Sequence, residues 1–437
     1  MSREAPLKAE KDYTKILEEE FPQIEIIAKT DYKRALDQLL ILEKKTRQAS
    51  DLASSKKVLN NVVELLVNNN DWDLLDEQLI LLSKKHGQLK LSIQYMIQKV
   101  MVFLEKLDKK NVKIKCIETI RTVTENKIYV EVERARVTRE LAHIRREEGK
   151  IDEATDLLCE LQVETYGSME MNEKIDFVLE QVELSILKGD YSQATVLSRK
   201  ILKKTFKNEK YEALKIQYYN LLVKIALHEK KYLDVAQYFL EIYNTPSIKT
   251  DANKWPKLLR HIVFFLILAP YDNLQSDLLH KIQLDNNLKR LENEESLVKL
   301  FTTSELMRWE SLKDTYLSLF ENDGLAFKDK AHWEDLHKRV VEHNLRVISK
   351  YYSRITLQRL NQLLDLDEHK TESYISNLVN QGIIYAKINR PAKIVNFEKP
   401  KNSSDLLNEW SNNIDELLGN IETISHLVTK EEILYGL

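Results

Sequence analysis

The sequence predicts a mostly α-helical protein: a right-handed solenoid of helical hairpins, then a winged helix, then one terminal helix. Three observations carry this. Only 8 Gly and 7 Pro occur in 437 residues, and no proline lies between Pro22 and Pro246, so that interval can stay helical nearly throughout. A turn signature recurs about every forty residues through the first half. Near the C-terminus, residues 351–397 form the one stretch where helical periodicity gives way to strands.

The recurring signature is a bulky residue following a short polar turn. Asp31-Tyr32-Lys33-Arg34-Ala35, Asp71-Trp72-Asp73-Leu74-Leu75, Lys150-Ile151-Asp152-Glu153-Ala154, Asp190-Tyr191-Ser192-Gln193-Ala194 and Lys231-Tyr232-Leu233-Asp234-Val235 place it at 32, 72, 151, 191 and 232. The double step leaves room for a degenerate copy near Val112. An apolar-periodic helix precedes each signature and another follows, as in Ala194 to Leu202. The bulky residue is expected to pack back on the first helix, and Ala35, Ala154 or Ala194 lets the second approach closely. One hairpin cannot bury its own apolar face, so neighbours must stack into an α-solenoid similar to tetratricopeptide arrays, with longer helices.

From Trp255 to Leu319 the pattern remains helical while the repeat fades. Ile262 to Leu268 is apolar on all sides, which predicts a helix buried on every face. Thr302 and Glu305 fit a capping box opening a helix over Ser304 to Trp309. Asn322-Asp323-Gly324 begins a polar loop to about Lys330, and a long helix, Trp333 to Tyr352, follows.

The winged helix is read from 351 to 397. Ile355, Leu357, Leu360, Leu363 and Leu364 mark a short helix with Thr356 as N-cap. Tyr374, Ile375, Leu378 and Val379 mark a second helix, ended by Gly382. Ile383 to Ile388 and Lys393 to Phe397 read as two strands joined by Asn389-Arg390-Pro391. A DNA reader would need cations on its recognition helix, and Glu372 to Gln381 carries neither Lys nor Arg. The ribbon is expected to pair with another ribbon by β-augmentation, or to cap the preceding helices.

After a hinge at Pro400 to Ser404, a final helix carries Leu406, Trp410, Ile414, Leu417, Ile421, Ile424 and Val428 at the spacing of a bundle or coiled-coil seam. It either folds back on its own domain or bundles with helices of other chains, and its position after a hinge favours the second. The domains are read as 1–225 (solenoid), 226–400 (helical part 226–350, winged helix 351–400) and 401–437 (bundle helix).

Signs of chemistry are sparse. Net charge is −3 with 31% charged residues, so no global field points to nucleic acid or membrane. The N-terminal stretch lacks the apolar core of a signal peptide, and the longest apolar run is too short to span a bilayer. Cys116 and Cys159 have no metal-ligand spacing and read as free thiols of a reducing compartment. There is no H-E-x-x-H, P-loop, G-x-G-x-x-G or G-x-S-x-G pattern. His332, His337 and His343 share one helical stretch without sharing a face. No catalytic residue, metal or cofactor is expected, nor is nucleic acid or membrane binding. One basic run, Arg199, Lys200, Lys203, Lys204, Lys207 and Lys210 with Phe206 and Tyr211, reads as a solvated helix face or an acidic partner's contact, with single-stranded RNA as the rival.

Helical hairpins followed by a winged helix resemble the PCI family, named for the proteasome lid, the COP9 signalosome and translation initiation factor three. Three segments resemble more closely the family of fifth non-ATPase subunits of the 26S proteasome regulatory particle. They are Ser83-Lys84-Lys85-His86-Gly87-Gln88, Gln162 to Glu170 (QVETYGSME) and Val379 to Pro391 (VNQGIIYAKINRP). The resemblance implies a scaffold subunit, cytoplasmic and nuclear. It implies a winged helix placed beside those of other PCI subunits. It implies a C-terminal helix bundled with helices that include those of two MPN subunits, one the deubiquitinase, and an N-terminal arm toward the ATPase ring and core particle. Carried over by position, Tyr385, Lys387, Ile388, Ile394 and Phe397 supply the ribbon contact. Leu406, Trp410, Ile414, Leu417, Ile421 and Ile424 supply the bundle. A signalosome or initiation-factor subunit is the nearest rival.

Overall fold

The computed structural model describes residues 13–29, 31–107, 109–321, 325 and 330–436. The polar loop expected after Glu321 lies almost wholly outside the described residues. The chain divides into two compact units, Met1–Glu229 and Lys230–Leu437.

The first unit is built from α1 (Thr14–Ala28), α2 (Tyr32–Gln48), α3 (Leu52–Asn68), α4 (Trp72–Lys84), α5 (Lys90–Glu105), α6 (Lys110–Thr124), α7 (Glu131–Glu147), α8 (Ile151–Cys159), α9 (Met171–Lys188), α10 (Tyr191–Ser198) and α11 (Glu212–His228). Every bulky residue of the repeat signature in this unit is the first residue of its helix. The turns share one geometry. Asn70, Gly149 and Gly189 adopt positive φ, and their amides close back on the preceding helix, as Gly189 N does on Ile186 O at 3.1 Å. The next residue is the N-cap, and Asp31, Asp71 and Asp190 accept hydrogen bonds from first-turn amides. Ala35, Ala154 and Ala194 are 0% exposed, where close helix approach requires a small side chain.

The bulky residues reach forward as well. The Tyr32 hydroxyl donates to Asp71 Oδ2 at 3.1 Å, and Tyr191 stacks on His228 with ring centroids 3.7 Å apart. Successive first helices pack on one another, α1 on α3, α3 on α5 and α5 on α7, which forms a continuous apolar layer. Ion pairs bridge the repeats outside it: Arg136–Glu173 at 2.6 Å, Arg139–Glu180 at 2.6 Å and Arg146–Glu183 at 3.0 Å. Glu43 is fully buried and is compensated by Arg47 at 3.0 Å and Lys85 at 3.2 Å. Arg47 also donates to the His86 carbonyl, so the Lys85-His86-Gly87 segment closes a buried charge network.

In the second unit, α12 (Tyr232–Tyr243), a single turn α13 (Pro246–Lys249), α14 (Trp255–Leu268), α15 (Asn273–Gln283), α16 (Glu292–Thr302), α17 (Trp309–Glu321) and α18 (Lys330–Tyr351) lead to β1 (Arg354–Thr356), α19 (Leu357–Leu364), α20 (Glu368–Asn380), β2 (Lys387–Asn389), β3 (Ile394–Asn396) and α21 (Ser403–Tyr435). Helix α14 is the hub. Ile262 to Leu268 are at most 3% exposed, enclosed by α12, α15, α16 and α18.

The capping-box expectation fails here. Thr302 is the last residue of α16, its hydroxyl turned back to Val298 O at 3.1 Å, and Ser304 to Arg308 are not helical. That segment is clamped instead by α18. The Met307 amide donates to Asn344 Oδ1 at 2.9 Å, and Asn344 Nδ2 donates to Met307 O at 2.7 Å. His343 Nε2 donates to Glu305 O at 3.2 Å, while its Nδ1 accepts from Arg346. Burial, reinforced by Arg346, holds the His343 pKa down at about 4. An unfolded histidine titrates near 6.5, so below that pH the unfolded chain binds the extra proton. The contribution of His343 to stability is therefore constant above about pH 6.5 and falls, by up to about 1.4 kcal/mol per pH unit, as the pH drops toward about 4. Urea titrations followed by tryptophan fluorescence should show this slope, and His343→Gln should flatten it; an unchanged slope in that variant would refute the assignment.

The winged helix packs its own core on α18. Val341, Leu345 and Ile348 meet Leu357, Leu360, Leu364, Ile375, Leu378 and Val395. Gly382 has φ +73, and Ile383 N closes on Leu378 O, so the expected C-terminal stop is present. The first expected strand, Ile383 to Ile388, is reduced to Lys387–Asn389, and three further details differ from expectation. Ile355 lies in β1, a third strand that pairs with β3 to give the order β1-β3-β2. Thr356 stands at the N-cap of α19 but makes no side-chain capping bond. Helix α20 starts at Glu368, four residues before the expected start, so it carries Lys370. A three-residue strand leading straight into a helix leaves no period long enough to separate from the helical one.

Candidate functional site

Two surfaces of the second unit hold the residues singled out in the sequence. The first is the three-stranded ribbon. Antiparallel register sets Arg354, Asn396 and Lys387 in one row and Thr356, Ile394 and Asn389 in the next, both on the outer face. The row between them, Ile355, Val395 and Ile388, faces the core. Lys387 and Ile394 are thus exposed, as an interface requires, with Ile394 at 37%. Tyr385 is half-buried just before β2. Ile388 is half-buried and also lines the groove over the outer face, while Phe397 is turned inward. Ile388 packs against the core, and Phe397 is 7% exposed within it, its amide bonded to Ser353 O at 2.9 Å. The reason is the period of two: with Val395 facing inward, so does Phe397.

An open groove of about 750 Å³ runs over the outer face, lined by Arg354, Lys387, Arg390, Ile394 and Asn396 among others. Arg354 escaped the sequence reading, although the alternation Arg354-Ile355-Thr356 is its signal. Two of the wing cations are turned back on the domain. Arg390 pairs with Glu372 at 3.1 Å and Lys393 with Glu368 at 3.6 Å, both acids on α20, so phosphate contacts there would compete with internal pairs.

The second surface is α21. Its 33 residues make a rod of about 50 Å, and each is exposed. Leu406 is 53%, Trp410 65%, Ile414 39%, Leu417 59%, Ile421 53% and Ile424 60% exposed. Folding back on its own domain is therefore not what the structure shows. Leu407, Trp410, Ile414, Leu417, Ile421, Ile424 and Val428 occupy a and d of successive heptads. Leu406, Leu418, Leu427 and Leu434 widen the stripe through the flanking e and g positions; Leu407, Leu418, Leu427 and Leu434 were missed because only one seam was traced. Asp415, Glu416, Glu422 and His426 lie on the opposite face. A stripe this wide suits a bundle of several helices better than a two-helix seam.

Elsewhere the titratable groups serve packing. His332 meets Tyr232 edge-on and His337 meets Trp309, at separate places on α18. Burial raises the thiol pKa of both Cys116 and Cys159, which keeps them protonated. Among the described residues, no three His, Cys, Asp or Glu side chains are grouped to hold a metal. No described helix is long and apolar enough to cross a membrane.

Comparison with known proteins agrees with this layout. The PCI-domain family model matches residues 299–399, from α16 through the ribbon. The model described as PSMD12/CSN4, N-terminal, matches 34–251, and that of the 26S proteasome regulatory subunit RPN5 C-terminal domain matches 404–436. The 26S proteasome regulatory subunit RPN5 of Saccharomyces cerevisiae is 72% identical, over 100% of this chain and 99% of its own. The chain belongs to the RPN5 family of 26S proteasome regulatory subunits. The 26S proteasome regulatory subunit rpn501 of Schizosaccharomyces pombe is 43% identical over 98% of this chain and 97% of its own. COP9 signalosome complex subunit 4 of Drosophila melanogaster, by contrast, is 25% identical over 51% of this chain and 52% of its own. The RPN5 C-terminal match coincides with the exposed α21, so the family signature extends over a helix with no buried side chain.

Proposed function

We propose that this RPN5-family chain is a non-catalytic scaffold of the proteasome lid. Its winged-helix ribbon sits beside those of other PCI subunits, and α21 enters a bundle with PCI and MPN subunits, the deubiquitinase among them. The N-terminal hairpins contact the ATPase ring and core particle. Residues 1–225, 226–400 and 401–437 divide these roles, and the assembly works in cytoplasm and nucleus. The observation that carries the reading is α21: a stripe of large apolar side chains, each 39–65% exposed over Leu406 to Ile424. Fully burying one such residue contributes about 1.5–3 kcal/mol, so a solitary chain leaves a large stabilisation unrealised. The outward positions Lys387 and Ile394, with Tyr385 beside them, are the ribbon residues offered to a neighbour.

The test is purification of the tagged native protein at low salt, followed by native mass spectrometry. Recovery with lid subunits and the proteasome core is expected. Recovery with cullin-associated or ribosomal initiation complexes, without proteasome subunits, would replace this reading with the signalosome or initiation-factor one.

A further inference from the structure

We infer that the connector between α10 and α11 is a docking site for an acidic polypeptide segment that carries aliphatic side chains beside its carboxylates. This goes beyond the scaffold role above and depends on neither the ribbon nor α21. The basic run expected to extend a helix does not do so: α10 stops at Ser198, and the chain crosses to α11 through two 3₁₀ turns, Lys203–Lys207 and Glu209–Tyr211. The turns are held from below. Phe206 is 8% exposed with its ring 5.2 Å from that of Tyr218, whose hydroxyl donates to Ser198 O at 3.2 Å. A short connector pinned in this way presents its outer side chains without first having to order them.

What it presents is unmatched positive charge. In the preceding hairpins several cations pair with acids of the next or previous repeat: Lys113 with Glu140, Arg136 with Glu173, Lys188 with Asp156 at 2.7 Å, and Lys200 with Glu164 at 2.7 Å. Arg199, Lys203, Lys204 and Lys210 are exposed and make no ion pair among the described residues; the side chain of Lys207 lies outside them. Two aliphatic side chains stand beside these cations, Val196 at 61% and Leu202 at 68% exposure. Charge complementarity therefore selects an acidic partner.

The same geometry decides between protein and RNA. Binding of single-stranded RNA draws on exposed aromatic rings for base stacking. Here Phe206 is buried and Tyr211 is half-buried, so the aromatic interleaving visible in the sequence belongs to the anchor. The exposed apolar atoms are aliphatic, which complement Leu or Val of a polypeptide.

Fluorescence anisotropy on the full-length protein tests this with three labelled probes: a short peptide of Glu-Glu-Leu repeats, its Glu-Glu-Ser counterpart, and oligouridylate. The Leu peptide should bind most tightly. K203E/K204E should weaken it by about tenfold or more, as expected for lost complementary charge, and K203Q/K204Q should weaken it less. Leu202→Ser should remove the preference for the Leu peptide, while reversal of Lys44 and Lys57, exposed elsewhere in the same unit, should leave binding unchanged. Tighter binding of oligouridylate, equal binding of the two peptides, or indifference to K203E/K204E would each overturn the assignment. None of these outcomes depends on proteasome incorporation, so failure here is separable from failure of the scaffold reading.

Discussion

Removal of residues 402–437 is expected to leave both compact units folded while abolishing incorporation into the lid. Every described side chain of α21 is exposed, so the truncation deletes no core contact, and unfolding free energies should stay within about 0.5 kcal/mol of the intact protein. Loss of assembly should be far larger. A finer variant, Ile421→Asp with Ile424→Asp, keeps the helix but puts two carboxylates on the seam. Two lost burials at about 1.5–3 kcal/mol each give about 3–6 kcal/mol, a weakening of at least about a hundredfold. Sedimentation of the reconstituted lid and circular dichroism of the isolated variant read the two sides separately. Normal incorporation of the truncated chain would refute the bundle role; loss of helix beyond α21 itself would show that the terminal helix supports the fold after all.

Phe265→Ala is expected to be among the most damaging single core substitutions in the second unit. Phe265 is 0% exposed in the last turn of α14 and stacks on Phe239 and Tyr232 at 5.9 and 6.4 Å. Truncating a buried Phe costs about 3–5 kcal/mol, because the cavity relaxes only partly. In a unit of this size that lowers the midpoint by about 8–15 °C, while Phe265→Leu should lose a fraction of it. Calorimetry of the full chain should show the transition of this unit moving while that of the first stays in place. A shift of less than about 2 °C would mean that α14 is not the hub described.

The elements most legible in the sequence were those whose signal is local. A bulky residue after a polar turn marked a helix start at Tyr32, Trp72, Ile151, Tyr191 and Tyr232, because the turn, the cap and the first helical residue are contiguous. Gly382 was legible for the same reason, since positive φ is a property of one residue. The misses share another cause. Thr302 and Glu305 have capping-box spacing, yet Asn344, far along the chain, supplies the bonds that fix Met307 and keep the segment extended. The start of α11 was obscured by a run of cations that reads as a helix face, whereas Phe206 inserted beneath it selects 3₁₀ turns. At the ribbon, alternation identified strand residues, but which face Phe397 takes follows from the register with β1, a strand the sequence hardly announces.

Periodicity and the scarcity of Gly and Pro determined that this is a stack of helical hairpins with a winged helix and a terminal amphipathic rod, since helix starts, stops and apolar stripes are set by neighbours within a few residues. Tertiary structure decided which apolar side chains are spent inside the chain and which remain for partners. Phe397 is consumed by the core, Ile394 is left outside, and the stripe of α21 is left uncovered along its length. Burial is a relation between distant segments, fixed only when strands take a register and helices choose the faces they press together.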